Sequence, residues 1–403
     1  MTAEISGDRG RRHLLKDVSL SSVVAGLLAV VVSYSGPMVI VLAAAKAGHL
    51  TPGQTTSWVW AVSLGSGLTC VLLSLWTRTP VVTAFSTPGA ALLVTTLGDH
   101  PYGAAIGAFA LAGLLTAVVG FSGLFGRFMS VIPTPIVSGV LAGILFAFGV
   151  DAFRALGVAP LVVGAVVVGY LVVKRFSARY AVLGGLLLGV PAALATGTRL
   201  SSVSLEWARP EWTTPQFTVA SVISIGIPMF MVTMASQNAP GLAVLRTAGY
   251  PTPDRLLVGT TGVASVLLAP FGSHAINLAA ITAAICTGEE AHPDPRRRYT
   301  AAVACGAFYV VVGAFGATLL GVFLALPTQL VAAVAGVALL GALGAAVTDT
   351  TSLGTHREGA LIAFLTTASG VTLLGIGSAF WGLLFGTAAH FVVTRKASAD
   401  APG

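Results

Sequence analysis

The sequence predicts an all-α polytopic membrane protein with fourteen transmembrane segments, arranged as two inverted repeats of seven. The composition is the first indication, because 55% of the 403 residues are hydrophobic, only 9% are charged and the mean hydropathy is +0.91. A soluble domain usually has a charged fraction of about 25%. The spacing of the apolar stretches and the distribution of the basic residues are the second and third indications.

The apolar stretches are close to the length of about 20 residues that a helix needs to cross a bilayer. The third and the tenth contain Pro, Gly and polar residues, so each is the irregular third member of a set of seven. The stretches occupy residues 20–45, 57–76, 81–98, 103–121, 132–149, 156–173, 180–196, 216–245, 255–269, 270–287, 299–321, 327–347, 358–374 and 377–394.

The basic residues indicate the orientation of the chain. If the N-terminal tail (1–19) is cytoplasmic, fourteen crossings place nearly all basic clusters on the cytoplasmic side, as the positive-inside rule requires. The C-terminal tail (395–403) is then cytoplasmic as well, and the linker 197–215, with Trp207 and Trp212, is extracytoplasmic. The basic residues placed inside are Arg9, Arg11, Arg12, Lys16, Arg78, Arg127, Lys174, Arg175, Arg179, Arg246, Arg255, Arg296, Arg297, Arg298, Arg357, Arg395 and Lys396.

Two repeats of seven segments must enter the membrane from opposite faces, because seven is an odd number. Inverted repeats of this kind are common in secondary transporters. The first repeat spans 20–196 and the second 216–394. Internal similarity supports the division, since Ser33-Tyr-Ser-Gly-Pro37 leaves the first segment as Ser236-Gln-Asn-Ala-Pro240 leaves the eighth.

The third and tenth segments predict a binding site between the repeats. Phe85-Ser-Thr-Pro88 and Phe271-Gly-Ser-His274 are interpreted as counterparts. Each segment is expected to be a short extended piece followed by a half-helix, which begins near Pro88 in one repeat and near Ala275 in the other. A helix start exposes unpaired N–H groups and the positive end of the helix dipole. Two opposed starts therefore predict a cradle for a small anion, most simply a carboxylate.

No acidic residue falls at the predicted centre of the bilayer, since all fourteen lie in loops, at segment ends or in the termini. This disfavours a Na⁺ or Ca²⁺ site built on carboxylates and a carboxylate proton relay. The residues left at depth form hydrogen bonds or are aromatic. The candidate substrate-binding residues are Tyr34, Phe85, Ser86, Thr87, Gly89, Gln237, Asn238, Phe271, Ser273, His274 and Asn277.

Each candidate also has a structural interpretation. Ser86 and Thr87 would cap a helix, the amides of segment eight would join helices by hydrogen bonds, and the aromatic residues would fill the core. His274 is the only ionisable side chain placed at the midplane, and a bound carboxylate would favour its protonated form. It is the candidate proton-coupling residue, with neutral packing as the alternative.

Other classes of site are disfavoured. Cys70, Cys286 and Cys305 lie in or beside apolar runs, which indicates packing rather than a disulfide framework or a metal site. The loop 289–298 mixes His and acids but is interpreted as a solvated cytoplasmic loop, so neither a metal nor a cofactor is predicted. The net charge of +7 lies in short loops and therefore does not indicate nucleic-acid binding.

A membrane-embedded enzyme using His274 would lack an HExxH motif, a GxSxG motif and paired intramembrane aspartates. A pore-forming channel is a further alternative.

Four stretches of the chain resemble the BenE-type benzoate/proton symporter family. They are Phe85-Ser-Thr-Pro-Gly-Ala-Ala-Leu92, Ala235-Ser-Gln-Asn-Ala-Pro-Gly241, Gly272-Ser-His-Ala-Ile-Asn-Leu-Ala-Ala-Ile-Thr282 and Cys286-Thr-Gly-Glu-Glu-Ala-His-Pro-Asp-Pro-Arg-Arg297. The likeness runs over nearly the whole chain. The family is similar in fold to the uracil permeases, which implies short strands in segments three and ten. It also implies a core domain of about 20–121 plus 216–321 and a gate domain of about 132–196 plus 327–394.

The resemblance further implies import of benzoate, or of a closely related aromatic carboxylate, by proton symport with alternating access in a bacterial inner membrane. The expected partners are this substrate, protons and the lipid bilayer, with a homodimer left open. Uracil permeases place acidic residues in segments eight and ten, where this chain has Gln237, Asn238 and Asn277. The loss of those charges fits an anionic substrate. The alternative is another small organic or inorganic anion on the same fold.

Overall fold

A computed structural model of the chain describes residues 14–127, 133–197, 205–351, 357–373 and 376–399. The stretches 1–13, 198–204 and 400–403 of the predicted tails and linker lie outside the described residues. The main helices and strands are, in chain order, α1 (Leu20–Ser35), α2 (Pro37–Ala47), α3 (Pro52–Thr77), β1 (Thr83–Phe85), α4 (Thr87–Thr96), α5 (Tyr102–Ser122), α6 (Thr134–Leu156), α7 (Pro160–Phe176), α8 (Ala181–Ala195), α9 (Val219–Thr247), α10 (Asp254–Leu268), β2 (Ile276–Leu278), α11 (Ile281–Thr287), α12 (Tyr299–Ala314), α13 (Gly316–Leu324), α14 (Thr328–Thr350), α15 (Arg357–Ala368) and α16 (Ser378–Ala399).

The predicted helical membrane fold is confirmed, and each of the fourteen apolar stretches contains a helix. Among the described residues, seven helices are long and apolar enough to cross a bilayer when α1 and α2 are counted together as Leu20–Ala47, or eight if the bent pair α12 and α13 also forms one span. The helices α4 and α11 have only ten and seven residues. Neither can cross alone, because a span needs about 20 residues. The count of fourteen spans and the division into core and gate therefore stay predictions.

Two stretches expected to be single segments are interrupted. The first, 20–45, breaks at Gly36 between α1 and α2, and the eleventh, 299–321, bends by 71° between α12 and α13. A Cβ on Gly36 would lie 2.7 Å from the Cβ of Ala338 in α14, so this break allows a close approach of two helices. Pro37 restarts the chain as a helix, a position where proline is favoured because its missing N–H has no partner there anyway.

The helix α9 contains two π-helical turns, Val222–Gly226 and Met234–Asn238. Each is followed two residues later by a proline, Pro228 or Pro240. Proline has no N–H to give to the carbonyl four residues back. The helix widens before it, so that the N–H of Ala239 donates to the carbonyl of Met234, five residues earlier. The second π turn therefore interrupts regular helix in the part of α9 that carries Gln237 and Asn238, and π turns often mark functional sites.

The strands β1 and β2 form an antiparallel two-stranded ribbon within the helical fold, as predicted for the two broken segments. Ala84 lies opposite Asn277, with Phe85 opposite Ile276 and Thr83 opposite Leu278. Because the strands are antiparallel, α4 and α11 leave the ribbon in opposite directions. The N-terminal ends of both half-helices consequently point towards the ribbon.

Two details predicted for the second broken segment were wrong. The half-helix begins at Ile281 and not near Ala275, because Ile276–Leu278 pairs with β1 as a strand. The register also makes β2, and not Phe271-Gly-Ser-His274, the counterpart of the strand that ends at Phe85. Residues 271–274 instead form the turn before β2, where Gly272 has a φ of 103°.

The longer helices fall into two groups. In one, α3 packs against α12 and α5 packs against α10; in the other, α6 packs against α14 and α15, α7 against α8, and α15 against α16. A separate cluster of buried apolar side chains lies among α7, α8 and α14, including Val163, Val166 and Leu330. The ribbon contacts helices of the first group, α3 and α10.

The described part of the linker, from residue 205, lies across the ends of four helical elements. The backbone N–H groups of Ala208 and Thr213 in the linker, and of Gln216 directly after it, donate to the carbonyls of Ala314, Pro270 and Gly103 at 2.7 to 2.8 Å. The Ser57 hydroxyl lies between the linker and the turn before β2, since it accepts from the N–H of Glu211 and is 2.9 Å from the carbonyl of Phe271. The linker thus anchors the turn that leads into β2.

Gly272→Ala is expected to lower the stability of the fold. A Cβ there would meet the Tyr102 hydroxyl at 2.8 Å and the Trp58 backbone at 3.0 Å, at a φ that residues with a side chain rarely adopt. We expect a loss of roughly 1–3 kcal/mol, seen as a lower unfolding temperature of the detergent-solubilised protein. The control is Gly341→Ala in α14, where an added methyl group meets nothing within 4 Å. Equal unfolding temperatures for the two variants would contradict the assignment of strain to Gly272.

Candidate functional site

The start of α4 is built by Ser86 and Gly89. The Ser86 hydroxyl accepts a hydrogen bond from the Gly89 N–H at 3.0 Å and shares another with the Thr233 hydroxyl at 2.9 Å. A Cβ on Gly89 would lie 2.9 Å from that hydroxyl oxygen. Ser86 is fully buried, whereas Thr87, the first helical residue, is partly exposed. The capping interpretation therefore describes Ser86, and Thr87 is the residue whose side chain reaches accessible space.

His274 joins the two broken segments and α3. Its Nδ1 accepts from the indole N–H of Trp58 at 3.0 Å, and its Nε2 lies 2.8 Å from the carbonyl oxygen of Ser86. Because an indole N–H can only donate and a carbonyl can only accept, the ring carries its proton on Nε2 and is neutral. The rings of Trp58, Phe85 and Phe109 stand edge-on around it at centroid distances of 5.6 to 6.4 Å.

This arrangement bears on the predicted proton role of His274. A second proton would have to enter at Nδ1, and the Trp58 hydrogen bond would have to break first. The side chain is also fully buried. Proton transfer through His274 would therefore need a second conformation of this region, and the role stays a prediction.

Asn277 carries buried polar atoms that have no hydrogen-bond partner in the described protein. Both its Oδ1 and its Nδ2 are unpaired, and so is the hydroxyl of Ser273. Buried polar groups are nearly always paired, so such atoms indicate a role in binding or strain. Asn277 lies opposite Ala84, and opposed residues of an antiparallel pair place their side chains on one face. Ala84 is partly exposed, so this face of the ribbon is next to accessible space.

The two amides of α9 have different surroundings. The Oδ1 of Asn238 accepts the N–H of Leu278 at 3.0 Å, so Asn238 joins α9 to the outer edge of β2. Gln237 is partly exposed, and its amide makes no hydrogen bond among the described residues. Asn238 thus joins structural elements by a hydrogen bond, which is the structural role predicted as an alternative to substrate binding, while the amide of Gln237 is free to meet a ligand.

The three aromatic candidates differ in exposure and in the side chains that they contact. Tyr34 is partly exposed, with its ring 6.4 Å from that of Phe85, and its hydroxyl hydrogen-bonds to Ser63. Phe85 is buried at 2% exposure. Phe271 packs against Trp60 and against Trp212 of the linker. Tyr34 is therefore the aromatic residue best placed to meet a ligand beside the ribbon, and Phe271 has the surroundings of a packing residue.

Two side chains of the site were not singled out from the sequence. Trp58 lies inside an apolar helix, where only its N–H distinguishes it from core residues, and Thr233 is one of several hydroxyl residues in membrane segments. Their partners, His274 and Ser86, lie 216 and 147 residues away in the chain. Only the folded arrangement reveals these pairs.

Comparison with known proteins identifies the family. A family model described as benzoate membrane transport protein matches residues 16–392. The chain belongs to this family. It is 40% identical to the benzoate membrane transport protein of Acinetobacter baylyi over 390 residues, which cover 96% of this chain and 99% of the relative. It is also 40% identical to the inner membrane protein YdcO of Escherichia coli over 373 residues, covering 92% of this chain and 95% of that one.

Solved structures show the same fold at low sequence identity. The transmembrane domain of the cyanobacterial bicarbonate transporter BicA matches with a TM-score of 0.62 and 14% identity, covering 93% of this chain and 98% of that one. SLC26A9 matches with a TM-score of 0.60 and 13% identity, covering 95% and 67%. Family and fold together establish a multi-pass membrane transporter rather than an enzyme, which confirms the resemblance found in the sequence.

Two replacements of His274 are expected to show how much its hydrogen bonds, as distinct from its packing volume, contribute to stability. His274→Leu leaves the Trp58 N–H and the Ser86 carbonyl buried without partners, at a cost of about 1–3 kcal/mol for each group. His274→Gln can both accept from Trp58 and donate to Ser86, so we expect it to unfold near the wild-type temperature. The measurement is thermal unfolding of both variants in detergent, and a Leu variant as stable as the Gln variant would show that the two bonds contribute nothing.

Proposed function

We propose that the protein imports benzoate, or a closely related aromatic carboxylate, together with protons by alternating access. The observation that carries the choice of substrate is family membership along nearly the whole chain, with a 40% identical relative named as a benzoate transporter. The geometry of the ribbon supports the class of substrate independently. The N- and C-terminal tails are proposed to be cytoplasmic, on the distribution of the basic residues.

The surroundings of the ribbon favour a small anion. The N-terminal ends of α4 and α11 point towards the ribbon from opposite sides, and helix N-termini attract negative charge. Neither the strands nor the half-helices contain an acidic residue that would repel it. The polar side chains there are neutral hydrogen-bond formers. The site therefore offers partial positive charge without a fixed countercharge.

The partly exposed residues indicate how an aromatic carboxylate would lie. The carboxylate would meet the start of α4 at Thr87 and the amide N–H group of Asn277. Gln237, in the second π turn, provides a further donor. The aromatic ring would pack against Tyr34, whose own ring contacts Phe85 of β1. Binding would pair the Nδ2 donor of Asn277, which has no partner in the protein.

Proton coupling is the second part of the proposal. His274 is the only ionisable side chain on the ribbon or in the turn that precedes β2. Its Nδ1 is available only when Trp58 moves, so a proton on His274 would be linked to a conformational change. Such a link is what alternating access requires, because the protein must move when substrate and proton are both bound.

Reconstituted protein is expected to take up radiolabelled benzoate when the vesicle interior is more alkaline than the outside. An inward proton gradient should accumulate substrate above equilibrium, and a protonophore should abolish the accumulation. Unlabelled substituted benzoates, bicarbonate and sulfate serve as competitors. Uptake no greater than in protein-free vesicles would refute benzoate transport, and competition by the inorganic anions alone would favour the alternative substrate class.

His274→Gln tests the proton carrier in the same assay, because this substitution keeps both hydrogen bonds and removes the titratable ring. Accumulation that no longer responds to the pH gradient would support the role of His274. Full accumulation with unchanged pH dependence would refute it and leave the proton to the substrate or to a peripheral acid.

Asn277→Ala is expected to raise the KM for benzoate roughly 10- to 100-fold, the effect of losing one hydrogen bond to a charged group. Its unfolding temperature should not fall, because the substitution removes buried atoms that have no partner. Asn277→Asp should transport still less, since a carboxylate would repel the substrate.

The matched control is Asn238→Ala, which removes a buried amide that does have a partner. This variant should unfold at a lower temperature because the N–H of Leu278 is left unpaired. If Asn277→Ala transports with the wild-type KM, the placement of the carboxylate at Asn277 is wrong.

A further inference from the structure

The ribbon has two outer edges whose backbone groups need partners. At membrane depth no bulk water can satisfy them, so each unpaired group is costly. Ser86 donates to Ala275 and Ala279 donates to Val82 across the ribbon. Since inward and outward pairs alternate along an antiparallel ladder, the backbone groups of Thr83 and Ile276 point outward. Each of these is the first residue of its strand.

The outer edge of β1 is bound by a thiol. The N–H of Thr83 donates to the Sγ of Cys70 at 3.1 Å, and the same sulfur lies 3.3 Å from the Thr83 carbonyl oxygen. Cys70 belongs to α3 and is fully buried. One side chain therefore contacts both outward groups of one strand residue.

The outer edge of β2 is bound in the same way by a hydroxyl. The N–H of Ile276 donates to the Oγ of Ser265 at 2.8 Å, and that oxygen lies 3.3 Å from the Ile276 carbonyl oxygen. Ser265 belongs to α10 and is 2% exposed. Thiol and hydroxyl groups can both accept and donate, which is what a single side chain needs in order to contact an N–H and a C=O together.

The two contacts occupy matching places in the two repeats. α3 is the helix before the first broken segment, and α10 is the helix before the second. Cys70 precedes its strand residue by 13 positions and Ser265 by 11. Each repeat thus has one side chain that contacts both the N–H and the C=O of the first strand residue, a cysteine in the first repeat and a serine in the second.

We propose that Cys70 and Ser265 are positioning residues that hold the ribbon in register for substrate binding. A slip of one residue would turn the side chains of Ala84 and Asn277 to the other face of the ribbon. The two edge contacts oppose this slip by binding each strand to a neighbouring helix. This inference rests on the proposed import of benzoate at the ribbon.

Single alanine variants test the proposal by kinetics. Cys70→Ala and Ser265→Ala should each raise the KM for benzoate about five- to tenfold, the value of one or two net hydrogen bonds, with the maximal rate nearly unchanged. Cys70→Ser, Ser265→Cys and the double exchange of the two should keep a KM near that of the wild type. The control is Thr116→Ala in α5, which removes a buried hydroxyl that donates to the Ala112 carbonyl of its own helix.

A second measurement does not need transport. Amide hydrogen exchange of the purified protein without substrate should be faster at 83–85 in Cys70→Ala and at 276–278 in Ser265→Ala. It should be unchanged in Cys70→Ser, Ser265→Cys and the variant that carries both of these substitutions. If wild-type vesicles take up no benzoate, the proposed function fails and hydrogen exchange alone decides this inference.

Several outcomes would overturn the positioning role. The role is refuted if both alanine variants keep the wild-type KM and the wild-type rate of amide hydrogen exchange. It is also refuted if Cys70→Ala and Cys70→Ser raise the KM equally. Should an alanine variant not be recovered folded, the exchange variants still decide, because each must then fold and keep the wild-type KM.

Discussion

The structure depends on one constraint, which is that a two-stranded ribbon inside a helical membrane protein must have every backbone group paired. Pairing of β1 with β2 satisfies the inner edges. On the outer edges, three outward N–H groups donate to side chains of the surrounding helices: Thr83 to Cys70, Ile276 to Ser265 and Leu278 to Asn238. Helices α3, α9 and α10 are consequently tied to the ribbon by hydrogen bonds as well as by packing. Because both half-helices begin at the ribbon, these contacts also fix the direction of their positive ends.

His274 extends this network across the ribbon. Through Trp58 and the Ser86 carbonyl it connects α3 to the start of α4, and the Ser86 hydroxyl continues the connection to Thr233 of α9. The whole chain of bonds is uncharged. A neutral network suits a site for an anion, since the attraction comes from helix ends and oriented N–H groups that are in place before the substrate arrives. The same network makes the ring nitrogen of His274 accessible to a proton only when its neighbours move.

Proline and glycine shape the elements that surround the ribbon. Pro228 and Pro240 each remove a backbone N–H donor from α9, and a π turn precedes each proline. Gly36 allows α1 and α2 to break beside α14, and Gly272 supplies the left-handed backbone of the turn before β2. The linker anchors that turn through Thr213 and Ser57. Gly36 and Gly272 are buried, so the irregular backbone at these two positions is surrounded by protein, as such backbone at membrane depth requires.

The sequence by itself determined the class of protein, the positions of the helices and the two broken segments. Those properties follow from composition and from local runs of apolar residues, so they are visible along the chain. It also identified His274, Ser86 and Asn277, because polar residues inside apolar segments are conspicuous.

The tertiary structure alone decided the register of the ribbon and the start of α11 at Ile281. It also showed that Ser86 and Asn238 are occupied by structural hydrogen bonds while the Asn277 amide has no protein partner. The physical reason is that these properties belong to pairs of residues that are distant along the chain. Whether a buried amide or ring nitrogen is free depends on which partner the fold brings to it.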